Sequence, residues 1–113
     1  MSFYEPLTLT DMQKNAWQHA EDKGFHKHHI TVGDRLALIH SEVSEALEAY
    51  RERGLADWTS GKGKPEGLAS ELADVIIRIG DMAGVYGIDI NEEVCKKMEY
   101  NTTRSYMHGG KKL

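Results

Sequence analysis

The chain has 113 residues, 18 acidic against 14 basic side chains for a net charge of −4, and one cysteine. That length supports one domain with a single modest core. The acid excess argues against a nucleic-acid polymer as partner, which calls for a basic face, and Cys95 alone excludes an internal disulfide and fits a reducing compartment.

No apolar run nears the ~18–20 residues of a membrane span, and no signal-peptide core opens the sequence, so a soluble cytoplasmic protein without a membrane partner is expected. A small phosphorylated ligand stays compatible with the charge, because metal ions reverse the local sign. Two prolines and an abundance of Ala, Leu and Glu favour helices.

Residues 1–7 read as an irregular lead-in. A first helix is predicted from about Thr10 to Lys23, with Thr10 and Gln13 spaced as a capping box, Gly24 as its stop, and Ala16, Trp17 and Ala20 on its inner face. A histidine-rich loop follows over residues 24–33. The second helix is predicted from about Asp34 to Arg53, because Leu36, Ile39, Val43, Leu47 and Tyr50 recur at three- and four-residue steps, and Gly54 stops it.

Leu55 to Lys64 reads as a mobile loop, and Pro65 as the first position of a third helix ending near Tyr86. Asp89 and Glu92 resemble a capping box for a fourth helix from about Ile90 to Tyr106. The tail, His108 to Leu113, reads as irregular. Four helices with short connections make one all-α domain, a four-helix bundle spanning residues 1–113. The apolar positions of the third helix, Leu68 to Ala83, cover roughly 220° of its circumference, so burial on more than one side is expected, plausibly against another copy of the chain.

Glu42 and Glu45 on the second helix, and Glu71 and Asp74 on the third, stand three apart in each pair. On a helix, each pair points within roughly 60°. Isolated helical glutamates ordinarily face water or pair with lysine or arginine. Glu42, however, falls inside the apolar arc, where an ionised group needs a partner. Glu45 lies at the arc's edge and Glu48 on the polar side.

Glu71, Asp74, Arg78 and Asp81 form one strip of roughly 80°. Arg78 could neutralise Asp74 and Glu71, but three acids against one arginine leave excess negative charge. Two such helices side by side would bring four carboxylates together, an arrangement that is repulsive unless a cation joins them. Magnesium suits it, with manganese as a substitute, since hard oxygen ligands, waters and a substrate phosphate complete its octahedron. An iron-type bundle site would need a Glu-x-x-His element on two helices, and the sequence has none.

On the fourth helix Lys97, Asn101 and Arg104 lie within roughly 60°, a candidate grip for phosphates. Ser41-Glu42-Val43-Ser44-Glu45, then Glu71-Leu72-Ala73-Asp74, then the Lys97–Arg104 segment together resemble the MazG-like all-α nucleoside triphosphate pyrophosphohydrolases over about residues 36–110. Their pattern is Glu-Glu-x-x-Glu, a spacer, Glu-x-x-Asp, and a later Lys/Asn/Arg element; Ser41 stands where the pattern has its first glutamate.

The resemblance implies hydrolysis of a nucleoside triphosphate between the α- and β-phosphates, magnesium or manganese dependence, and a homodimer or homotetramer. Glu42, Glu45, Glu71 and Asp74 would bind metal, and Lys97, Asn101 and Arg104 would hold phosphates. The metal would polarise the α-phosphoryl group and help activate water, with Glu45 as candidate general base. Two rivals remain open: a phosphoribosyl-ATP pyrophosphohydrolase, and a non-catalytic helical interaction module whose acids form salt bridges.

Weaker signals surround this pattern. His26, His28 and His29 could form a ligand loop, but neighbouring loop histidines are ordinarily solvated. Trp17 and Phe25 could stack on a base, although core packing is the ordinary role of such residues. Trp58, with Lys62 and Lys64, could close over a nucleotide or belong to a solvated linker. The Gly109-Gly110-Lys111-Lys112 tail could reach a triphosphate or fray.

Overall fold

The computed structural model describes residues 5–104. The described residues are all-α apart from one small hairpin: α1 (Leu9–Asp22), a 3-10 turn (Phe25–Lys27), α2 (Val32–Arg53), strands β1 (Trp58–Thr59) and β2 (Pro65–Glu66), α3 (Leu68–Val85) and α4 (Ile90–Thr102). Helix α3 is central, packed on α1 along one side and α2 along another, while α4 leans mainly on α1.

The cap of α1 differs from the predicted one. Thr8, not Thr10, is the N-cap: its hydroxyl accepts from the Asp11 amide at 3.0 Å, and the Asp11 carboxylate accepts from the Thr8 amide. Gln13 is engaged elsewhere, donating to the Ile88 carbonyl at 2.7 Å and accepting from the Ile90 amide at 3.1 Å, which ties α1 to the start of α4. Helix α2 likewise begins two residues earlier than predicted, because Thr31 and Asp34 form a reciprocal capping box.

Residues 55–64 are not simply a loop, and Pro65 does not open α3. Trp58 pairs with Glu66 and Thr59 with Pro65 in an antiparallel hairpin. Ser60 closes its turn, its amide donating to the Lys64 carbonyl and its hydroxyl accepting from the Lys62 and Lys64 amides. Arg53 stacks on Trp58, its guanidinium carbon 4.3 Å from the ring centre, fastening the hairpin to the end of α2.

Gly67 then caps α3 at φ 117°, with a Cβ there meeting the Ala56 carbonyl at 3.0 Å. Glycine is required at this turn, and the turn puts Glu71 in the first turn of α3, where the helix dipole favours negative charge. At the other end of the chain, α4 starts as predicted on Asp89, whose side chain accepts from the Glu92 amide. The described helix ends at Thr102; Tyr106 and the His108–Leu113 tail lie outside the described residues, as does the start of the lead-in.

The helices approach closely through small residues. Ala16, Ala20, Ala46, Ala49 and Ala83 form the buried apolar core, and among the described residues no large side chain is fully buried. A Cβ on Gly84 would fall 2.9 Å from the Trp17 Cβ, which shows how tightly α1 and α3 meet. Leu36, Val43, Leu47 and Tyr50 on α2, and Leu72 and Ile76 on α3, stay about half exposed. No helix of the described residues is long and apolar enough to cross a membrane.

Candidate metal centre and the adjoining cleft

The α2–α3 packing brings Glu42, Glu45 and Glu71 together. One carboxylate oxygen from each lies within 4.8 Å of the others. As the helical wheel predicts, Glu42 is buried at 8% exposure, Glu45 is exposed, and Glu48 faces outward to pair with Arg51. Asp74 is half-buried one turn on from Glu71; it is not in this close group, but its charge acts on Glu71.

The electrostatics are those of a site short of positive charge. Burial, then the charges of Asp74, Glu45 and Glu42, push the Glu71 carboxyl above its ordinary range, with only Lys64 opposing them. Glu71 Oε2 is buried with no hydrogen-bond partner. A bare buried oxygen of this kind costs on the order of 1–3 kcal/mol. Three convergent carboxylates with one oxygen unsatisfied fit a hard divalent cation in both charge and donor type.

Arg78 does not neutralise Asp74 and Glu71 along its own helix. It reaches across to α2 and donates from Nε to Glu42 Oε1 at 2.7 Å. Arg78 also lines a cleft of about 190 Å³ between α1, α2 and α3, with Ala16, Ala20, Leu38, Ile77 and Met82 among its apolar walls. The cleft and the acids are therefore neighbours sharing Arg78.

Phe25 is not core: it is 62% exposed and lines the cleft, while Trp17 is half-buried between α1 and α3. His28 and His29 are exposed, as the ordinary reading of loop histidines has it. His26 departs from that reading, as it is held between Glu21 and Asp81. Asp81 also faces Arg35, whose Nη1 lies 3.7 Å from its Oδ2. Only a tertiary contact 55 residues apart brings His26 and Asp81 together, so no local spacing signalled it.

Lys97, Asn101 and Arg104 are exposed on and just beyond α4, with Lys97 Nζ 5.8 Å from the Tyr100 ring centre. The main packing of α4 is on α1, whereas the acids lie on α2 and α3. Compared with known protein families the chain matches none, and no curated protein matches it either. What stands is a small helical protein with an acidic cluster suited to a metal ion.

Proposed function

We propose that the chain is a magnesium-dependent nucleotide pyrophosphohydrolase of the MazG-like kind. It would cleave a ribo- or deoxyribonucleoside triphosphate between the α- and β-phosphates to give the monophosphate and pyrophosphate. The observation that carries this reading is the convergence of Glu42, Glu45 and Glu71, with Glu71 Oε2 buried and unpartnered.

In this reading Glu42, Glu45 and Glu71, with Asp74 beside them, hold the ion. When bound, it offsets the charge of the triphosphate and polarises the α-phosphoryl group. Glu45, the most accessible acid of the close group, takes the proton of the attacking water. The cleft beside Arg78 receives the base: an apolar cavity of about 150 Å³ accommodates benzene, and this one is slightly larger. Phe25 offers an aromatic face at its wall.

Lys97, Asn101 and Arg104 hold phosphates, and in this reading they meet the acids across an interface between copies. One observation favours such an interface: the exposed stripe Leu36, Val43, Leu47 and Tyr50 offers an apolar face to pack.

Chromatographic analysis of products from all ribo- and deoxyribonucleoside triphosphates and from phosphoribosyl-ATP, in magnesium and in chelator, tests the reading. Monophosphate and pyrophosphate formed only with metal support it, and turnover of phosphoribosyl-ATP alone favours the narrower enzyme. The Arg78–Glu42 pair favours one rival, a non-catalytic interaction module. That rival is the correct reading if magnesium with any of these nucleotides leaves thermal stability unchanged and none is hydrolysed.

A further inference from the structure

Gly24, at φ 80°, turns the chain out of α1 into the 3-10 turn Phe25–Lys27 and sets the His26 ring inward at 13% exposure. Its Nδ1 lies 2.6 Å from Glu21 Oε2 on α1, and its Nε2 lies 2.7 Å from Asp81 Oδ1 on α3. Ionised carboxylates only accept hydrogen bonds, and a neutral imidazole carries a single N–H. Making both bonds at once therefore requires the imidazolium. A proton on either carboxylate would sit on a group whose ordinary pKa is near 4, a poorer home for it than the ring.

The surroundings are balanced around that charge. Glu21 faces the ring from α1, Asp81 from α3, and Arg35 from α2 stands behind Asp81. Trp17 of α1 packs on the ring with centroids 5.2 Å apart. Farther along the cleft lie His19 and Lys23 of α1 and Arg78 of α3, and Lys27 follows in the turn itself. Two carboxylates and two cations make a neutral unit. Loss of the ring proton leaves a lone pair aimed at a carboxylate oxygen and strips one of the two ties.

We propose that His26 is a proton-held latch: its imidazolium fastens the connection between α1 and α2 to both α1 and α3, keeps Phe25 at the cleft wall, and frees that wall when the ring deprotonates. The cleft thereby gains a pH-dependent wall, whatever ligand it takes. Burial of the ring opposes its charge, but the hydrogen bonds and charges of Asp81 and Glu21 outweigh burial and raise its pKa above 6.5. A raised folded-state pKa places the latch's contribution in full below about 6.5, and the contribution is lost as pH rises through the folded value.

NMR titration of the full chain tests this without reference to catalysis. The His26 Cε1 signal should titrate above the ordinary imidazole value of 6.5. The Phe25 ring signals should move with the same midpoint, and amide exchange over residues 24–31 should quicken above it. Glu21→Gln should lower the midpoint and leave the fold intact, since Glu21 is 48% exposed; His26→Gln should abolish the Phe25 transition. The latch is refuted if Phe25 and the 24–31 amides stay flat while His26 titrates, or if His26 titrates at or below 6.5.

Discussion

Arg78 and Glu42 are partners across the α2–α3 seam: the guanidinium Nε donates to Glu42 Oε1 at 2.7 Å, and Glu42 is the one buried charged residue among those described. The pair answers a local need, because an ionised carboxylate inside an apolar seam must be met by a cation. It also places a positive group between an acidic cluster and a cleft. Arg78 thus competes, in electrostatic terms, with any divalent ion that Glu42 helps to hold.

Arg78→Met separates these two effects. In chelator the variant should lose roughly 1–3 kcal/mol of stability, since Glu42 keeps its burial and loses its partner. In magnesium the stabilisation on adding metal should exceed that of the parent chain, because the ion no longer shares Glu42 with a fixed cation. Urea unfolding of both proteins, with and without magnesium, gives all four numbers. Equal metal-induced gains would detach Arg78 from the site.

Glu71→Gln should behave in the opposite sense. Removing one of the mutually repelling carboxylates relieves the charge crowding at the base of α3, so the metal-free protein should gain roughly 0.5–2 kcal/mol. The same change should remove most of the magnesium-induced rise in Tm and abolish pyrophosphate release. A variant less stable than the parent in chelator would mean that the cluster is not charge-crowded.

Much of this was legible from spacing. The burial of Glu42, the edge position of Glu45 and the outward Glu48 all follow from a helical wheel, because one rigid α2 fixes their relative directions. Where the chain turns was less so. Both Thr8 and Thr10 offer a hydroxyl before a run of helix formers, and the choice fell to Thr8 once Gln13 was drawn to Ile88 and Ile90, a contact some 75 residues away. Pro65 suits a first helical turn as well as an edge strand, and the fit of Gly67 against Ala56 settled which. Pairings such as Arg78 with Glu42 and His26 with Asp81 depend on how α3 sits between its neighbours, which no local pattern encodes.

The Thr31–Asp34 cap yields a pH prediction of its own. The Asp34 carboxyl is held below its ordinary 3.8, first by the Thr31 backbone amide and then by the Thr31 side chain. A depressed folded-state pKa means a contribution present above the unfolded value and lost as pH falls through the folded one. The urea midpoints of the parent and Asp34→Ala should therefore differ near neutrality and converge on acidification below about 3.8. A gap that persists unchanged in acid would show that the cap does not depend on the charge of Asp34.

Gly84→Ala sets two terms of opposite sign against each other. Alanine gains about 1 kcal/mol over glycine in a helix interior. Its Cβ, however, would meet Trp17 Cβ at 2.9 Å and Trp17 Cδ1 at 2.8 Å, and overpacking of this kind costs about 1–3 kcal/mol. Trp17 Cβ is fixed to the α1 backbone, so the clash cannot be relieved by turning a side chain alone. Net destabilisation, up to about 2 kcal/mol, is expected, with a shift in Trp17 fluorescence as α1 is pushed away. A stabilised variant would mean that α1 yields easily and that the α1–α3 contact is not tight.

Leu47→Glu tests whether the exposed α2 stripe is an interface between copies. Leu47 is 49% exposed in the single chain, and a charge there should change a monomer's stability by no more than about 0.5 kcal/mol. In a homodimer or homotetramer packed through Leu36, Val43, Leu47 and Tyr50, the same carboxylate would be buried without a partner, once per subunit. Sedimentation velocity should then show the parent as an oligomer and Leu47→Glu as a monomer, with a lower Tm that no longer rises with protein concentration. Loss of hydrolysis should accompany dissociation, because Lys97, Asn101 and Arg104 would no longer reach a neighbour's acids. A parent chain that sediments as a monomer and still releases pyrophosphate would require those three residues to act within one chain, or not at all.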